Sequence, residues 1–325
     1  MRRSSAFAVA VAMVATLVVM PSAAPAQKVL KIGYPVWVGY GPLFLAQKKG
    51  FLKELGVNVQ FVNMEDTKTR YVALAAGQID GLMTTIDTMV LRVRPDFRIA
   101  AVMAFDDSKG GDGIVARKEI TSIKDLKGKK VAYGEGSVSH FLLGYLLRQN
   151  GLSFKDIVSV NMTAGDAGAA FVAGKVDAAV TWEPWLTKGK SAPHGHLLVD
   201  SSTTPGLIVD VLVFSKKVLA ARGADVRNVV RGYHRGVEYW KTYPDESNQI
   251  MAQAVGGWLK DPKVFAETLT GIRYYDYEMN RAFFASGGGA FRTSQFAIDF
   301  WAAQGKVQIK GLKAADILNA SFIAK

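Results

Sequence analysis

The chain has no cysteine and only four histidines among 325 residues. The first absence excludes disulfides, thiolate metal sites and a cysteine nucleophile. It also removes the acylated cysteine that would tether a lipoprotein. Catalytic signatures are lacking as well: there is no Gly-x-Ser-x-Gly elbow, no Walker loop and no zincin motif. His194 and His196 form a His-x-His pair, but in the polar loop SAPHGH and with no carboxylate partner, so a solvated loop is expected rather than a metal site. His234 falls on what reads as the outer face of a helix. No metal, cofactor or catalytic residue is called for.

Long apolar runs are missing after the first residues, so no membrane helix is expected in the body of the chain. The beginning is different. Arg2 and Arg3 precede an apolar run from Ala6 to Met20, and Ala24-Pro25-Ala26 gives a small-x-small site before Gln27. This pattern predicts an export signal over residues 1–26, and with no lipidation site the mature chain is expected free in the periplasm. The formal charge is +12, two units of which lie in the signal. Lys and Arg are dispersed rather than clustered, and an exported chain is an unsuitable nucleic-acid partner, so the charge reads as a solvated basic surface.

What is present is a repeat. LAAGQIDGLMTT (Leu74 to Thr85) aligns without a gap on FVAGKVDAAVTW (Phe171 to Trp182), at an offset of 97 residues. Ala76/Ala173, Gly77/Gly174, Asp80/Asp177 and Thr84/Thr181 are identical. Two further echoes keep nearly the same offset: Lys31-Ile32-Gly33-Tyr34 with Lys130-Val131-Ala132-Tyr133, and Val62-Asn63-Met64 with Val160-Asn161-Met162. Strand-like and helix-like segments alternate through both copies, which predicts an α/β architecture of two similarly folded lobes. Strands are expected at 29–36, 57–62, 81–84, 129–133, 157–161 and 178–181, with helices at 41–54, 67–76, 139–150 and 167–173. In each copy the glycine ends a helix in a left-handed conformation and the aspartate opens a buried strand.

Two glycine-led apolar segments, near 110–118 and 205–217, flank the second copy and read as a two-strand hinge between lobes. The first lobe is then 27–112 with 213–325, and the second 113–212. Beyond them, Val226, Val229, Val230, Tyr233, Val237 and Trp240 make one apolar face over a helix at 226–243. Gly287-Gly288-Gly289 reads as a mobile loop.

Ligands of open α/β sheets bind beyond the carboxyl ends of the strands. This points to 37–40, 84–87, 136–140 and 181–185. Ser139 is placed to cap the helix after Gly136, where backbone amides either accept an anion or merely satisfy local groups. Trp37 and Trp182 either stack on a ligand or pack between elements, while Trp185 reads as packing. Asp87, Asp106, Asp107, Asp112, Glu135, Glu183 and Asp210 gather at the same mouth, and those four loops hold no Lys or Arg. The cleft should therefore favour an amino or amidine group, or an anion held by amides and hydroxyls.

These motifs as a set resemble the periplasmic solute-binding proteins of the nitrate/sulfonate/taurine (SsuA/NMT1-like) group of ABC importers. The residues concerned are Ile32-Gly33-Tyr34 with Trp37-x-Gly39-Tyr40 and Pro42, Gly77-x-Ile79-Asp80, Asp125-Leu126-x-Gly128-Lys129, Gly136-Ser137 with His140, and Gly174-x-Val176-Asp177 leading to Trp182-x-Pro184. The resemblance implies a type II periplasmic-binding fold, capture of a small polar solute between closing lobes, delivery to an inner-membrane permease, and a monomer. It carries Trp37, Tyr40, Thr84, Thr85, Asp107, Ser137, Ser139, His140, Trp182, Glu183 and Asp210 over as pocket candidates. A taurine-like zwitterion or a nitrogenous base suits the acidic cleft better than nitrate. Other readings are a thiamine-precursor pyrimidine binder or enzyme of the same fold, though the cysteine-rich motif of those enzymes is impossible here, and a periplasmic ligand sensor.

Overall fold

A computed structural model describes residues 29–323 of the chain. The export signal expected over 1–26 lies outside the described residues. The chain opens with β1 (Leu30–Tyr34), α1 (Gly41–Lys48), α2 (Phe51–Glu54), β2 (Val59–Asn63), α3 (Thr67–Ala75), β3 (Gly81–Thr85), α4 (Ile86–Val90) and β4 (Ile99–Ser108). It continues with β5 (Asp112–Arg117), β6 (Lys130–Tyr133), α5 (Val138–Gln149), β7 (Val158–Asn161), α6 (Ala164–Val172), β8 (Ala178–Trp182), α7 (Trp185–Lys190) and β9 (Gly195–Asp200). The last part holds β10 (Val209–Ser215), α8 (Lys216–Thr242), α9 (Pro244–Val255), α10 (Pro262–Thr268), β11 (Ile272–Tyr274), α11 (Tyr277–Phe283) and α12 (Gly289–Ala302).

The strands form two sheets, ordered β11-β4-β10-β3-β1-β2 and β7-β6-β8-β5-β9. In the first sheet β1 runs parallel to β2 and β3; in the second, β6 runs parallel to β7 and β8. These two trios are the repeat seen in the sequence. Its aspartates do the same work in each copy: Asp80 accepts the Lys31 N–H and Asp177 accepts the Lys130 N–H, both at 2.8 Å, tying the start of one strand to its neighbour. Gly77 and Gly174 take φ of 70° and 71° at the helix ends, where a Cβ would be strained. The helices before them are capped alike, α3 by Asp66 and α6 by Thr163. That cap starts α6 at Ala164, one turn before the expected position; the small residues of Ala164-Gly165-Asp166 disguise a helical turn as loop.

Antiparallel strands complete each sheet. β10 lies between β3 and β4, and β5 lies between β8 and β9. The two segments expected as hinge strands are thus paired inside a sheet for most of their length. The passages between lobes are shorter, Lys109–Gly111 and Ser201–Ile208, and Val209–Leu212 belong to the first sheet rather than the second lobe. Burial decides this: residues 209–214 are buried, and 210–214 pair on both edges.

Helix α8 is longer than its apolar stripe suggested, starting at Lys216 with Ser215 as its cap and a kink at Arg222. Val226, Val229, Val230, Tyr233 and Val237 are wholly buried against the first sheet and α1, each stabilising the fold by about 1.5–3 kcal/mol. His234 is buried too, contrary to the outer-face reading, with its ring edge-on to Tyr233 and Tyr277. His194 and His196 are half-buried and bond the carbonyls of Phe171 and Ile120, so they pin a turn rather than lie in solvent. Gly287-Gly288-Gly289 leads into α12, with Gly288 at its cap position. Among the described residues no helix is long and apolar enough to cross a membrane.

Candidate functional site

The carboxyl ends of β1, β3, β6 and β8 converge on one small cavity between the lobes. Trp37 and Tyr40 follow β1, Thr84 and Thr85 end β3, Thr88 lies on α4, Ser137 precedes α5 and Trp182 ends β8. Asp112 and Asp210 reach it from the antiparallel strands β5 and β10, and Arg70 from α3. The cavity measures about 40 Å³, room for a few water molecules.

Its floor is acidic. Tyr40 Oη donates to Asp210 Oδ1 at 2.5 Å, and Trp37 Nε1 lies 3.3 Å from both oxygens of Asp106. Asp106 and Asp210 are cross-strand partners on β4 and β10, so their side chains share a sheet face. Burial, then the neighbouring Asp210 charge, pushes Asp106 well above the usual carboxylate range; burial likewise raises Asp210, with Asp112 and Asp87 adding to it. Burial lifts Asp112 to about 7 and Asp87 to about 6. These acids take up protons unless a cation lies beside them.

Arg70 stands against that floor. It is buried, with Nη1 donating to the Met64 carbonyl, and burial pulls its pKa down without making it neutral at any ordinary pH. The indole Nε1 of Trp182 is also buried with no hydrogen-bond partner among the described residues. The cavity therefore offers a guanidinium, an unspent indole N–H and threonine hydroxyls together with carboxylates. That set can hold both ends of a zwitterion.

Trp37, Tyr40, Thr84, Thr85, Ser137, Trp182 and Asp210 are brought together as candidates were expected to be. The remaining four are elsewhere. Ser137, not Ser139, occupies the cap position of α5, with its hydroxyl donated to the Gly134 carbonyl; Ser139 is buried within the first turn. His140 Nδ1 accepts the Gly136 N–H at 3.0 Å, and the ring packs edge-on against Tyr133, Phe154 and Trp301. Burial and the Lys306 charge lower it to about 4, so it stays neutral in an outer crevice. Glu183 accepts from Thr187 N–H and Oγ1 in the first turn of α7 and does not line the cavity. Asp107 points to the opposite sheet face from Asp106, as strand alternation requires, and pairs with Arg273. The separate acid Glu135 is exposed.

Sequence reasoning missed Arg70, because it lies on α3 rather than in a strand-end loop. A signal existed. At the repeat offset of 97, Arg70 faces Ala167, and it shares its helix face with Leu74, a core residue. A cation on a buried face, where the other copy has alanine, marks a difference in use between copies.

The comparisons with known proteins agree with this layout. The family model described as NMT1/THI5 like matches residues 37–247. The chain belongs to the NMT1/THI5-like family. A protein of Escherichia coli named as a putative aliphatic sulfonates-binding protein is 32% identical over 149 residues, an alignment that spans 44% of each chain. Among solved structures, the alkanesulfonate-binding protein of Xanthomonas axonopodis pv. citri bound to MOPS has a TM-score of 0.70 at 22% identity, covering 90% of this chain and 100% of that one. The periplasmic nitrate-binding protein of Synechocystis has a TM-score of 0.73 at 14% identity, covering 92% and 88%. This NMT1/THI5-like chain thus has the two-lobed periplasmic-binding fold.

Proposed function

We propose that the chain is the extracytoplasmic solute-binding component of an ABC importer, and that its solute is a small zwitterion carrying an acid group and an amine, taurine being the model compound. The observation that supports this reading is that buried Arg70, Asp112 and Asp210 line one cavity together. An ammonium group beside the aspartates keeps them ionised, while Arg70 and Trp182 Nε1 meet sulfonate or carboxylate oxygens. The binding-protein names of the relatives and of the similar structures point the same way. The solute is handed to an inner-membrane permease, and the binding protein acts as a monomer with lobe 1 built from 29–108 and 209–323.

A nitrogenous base such as a pyrimidine is the second reading. Trp37 and Trp182, which meet edge-on at 6.4 Å and both line the cavity, offer aromatic surface to such a molecule, and a relative from Saccharomyces cerevisiae is named as a 4-amino-5-hydroxymethyl-2-methylpyrimidine phosphate synthase.

Thermal-shift screening of the mature chain against taurine, alkanesulfonates, guanidines, pyrimidines and nitrate decides between them. At a hundredfold excess over Kd, the true class stabilises the fold by about 2.7 kcal/mol. A shift with nitrate alone would overturn the zwitterion reading, and turnover of any bound compound would overturn the binding-only reading.

A further inference from the structure

A second concavity lies behind the hinge, on the face of the first sheet opposite Asp106. It is far roomier than the inter-lobe cavity, about 800 Å³. Its walls come from both lobes and the passage between them: Tyr145 of α5, the Thr203–Leu207 segment, Arg273 and Tyr275 at β11, and Arg292 and Phe296 of α12. The floor is aromatic. Phe296 is 42% exposed and lies edge-on to Tyr145 at 5.9 Å.

The charge around this floor is one-sided. Asp107 is the one acid in the lining and is consumed by Arg273, which holds it through Nε and Nη2 at 3.1 and 3.0 Å. Asp107 is 4% exposed, whereas Arg273 is 52% exposed and turns the rest of its guanidinium outward. Arg292, which donates to the Gly287 carbonyl, supplies a second guanidinium. Two arginines against one neutralised carboxylate, over an aromatic floor, complement a flat apolar body with one acidic group.

We infer that this hinge-side groove is a second binding site, separate from the inter-lobe cavity, for a small organic anion such as an aromatic sulfonate or carboxylate. The inference stands without the proposed solute. An occupant touches both lobes and the passage between them, so it binds in the groove as a unit rather than at one surface.

The test is a fluorescence titration of the full mature chain with 8-anilinonaphthalene-1-sulfonate, an aromatic sulfonate whose emission rises on apolar contact. Saturable binding at one site is expected. Arg292→Glu and Phe296→Ala, both at accessible positions, should each weaken it about tenfold with unchanged circular dichroism. Arg70→Gln should leave it unaltered. Dye binding that ignores both groove variants, or that is lost with Arg70→Gln, overturns the second site.

Discussion

Arg70 is the residue on which the proposed selectivity turns. Its guanidinium is buried beside carboxyls that burial has pushed toward their neutral form. Arg70→Gln removes the cation but leaves a polar amide in its place. Affinity for a solute with an acidic group should fall by about 2–5 kcal/mol, the typical loss when one partner of a buried charged pair is removed. Isothermal titration of the variant measures it; unchanged affinity would remove Arg70 from the site. The aspartates make a pH prediction. A carboxyl raised to about 7, as Asp112 is, binds its proton in the folded state at pH values where the unfolded chain has released it. Its contribution is greatest below the unfolded value and is lost as pH rises through 7. Asp106 and Asp210 are raised as well and act in the same direction. His140, held near 4, opposes them only where the unfolded imidazole charges, below about 6.5. The ligand-free protein should therefore melt at a lower temperature at pH 8.5 than at pH 6.5, while an amine-bearing solute should give its larger thermal shift at pH 8.5. A melting temperature that rises across this interval would refute the account of the acidic floor.

At the scale of elements, the repeat was legible because it is local. Glycine at a left-handed helix end and aspartate at a strand start are set by backbone needs within a dozen residues, and Gly77/Gly174 and Asp80/Asp177 behave alike in the fold. Four strand ends then place Trp37, Tyr40, Thr84, Thr85, Ser137 and Trp182 around one cavity. Less legible was anything set by strand alternation or distant packing. Asp106 and Asp107 are adjacent in sequence yet serve opposite sheet faces. His234 looks polar and outward on a helical wheel, but α11 brings Tyr277 over it. The close approach of α8 to α1 was hidden in the same way. A methyl group on Gly236 would run into the Pro42 carbonyl oxygen, so Gly236→Ala must push the two helices apart. Denaturant unfolding should show a loss of about 1–3 kcal/mol. Since α1 follows Tyr40, a displaced α1 should also weaken solute binding. Unchanged stability would mean that the helices separate freely.

For the whole molecule, the size of the cavity sets the mechanism. In a space of about 40 Å³ the proposed solute has room only if the lobes part to admit and release it. Contacts that join the lobes away from the cavity therefore govern release. Arg92, just after α4, donates from Nη2 to the Gly136 carbonyl at 3.0 Å, and Trp185 packs edge-on to Trp258 at 6.3 Å. Of these, Arg92 is the cleanest to remove, because it lines the outer crevice and not the cavity. A hydrogen bond from a charged donor contributes about 1.5–3 kcal/mol, and this one forms only when the lobes are together. Arg92→Ala should therefore speed dissociation of the solute found by screening, by about tenfold or more, and leave its association rate nearly unchanged. Stopped-flow tryptophan fluorescence reads both rates, since Trp37 and Trp182 meet across the lobes. If dissociation is unaltered and association slows instead, Arg92 steers the solute inward, and closure rests on the tryptophan contacts.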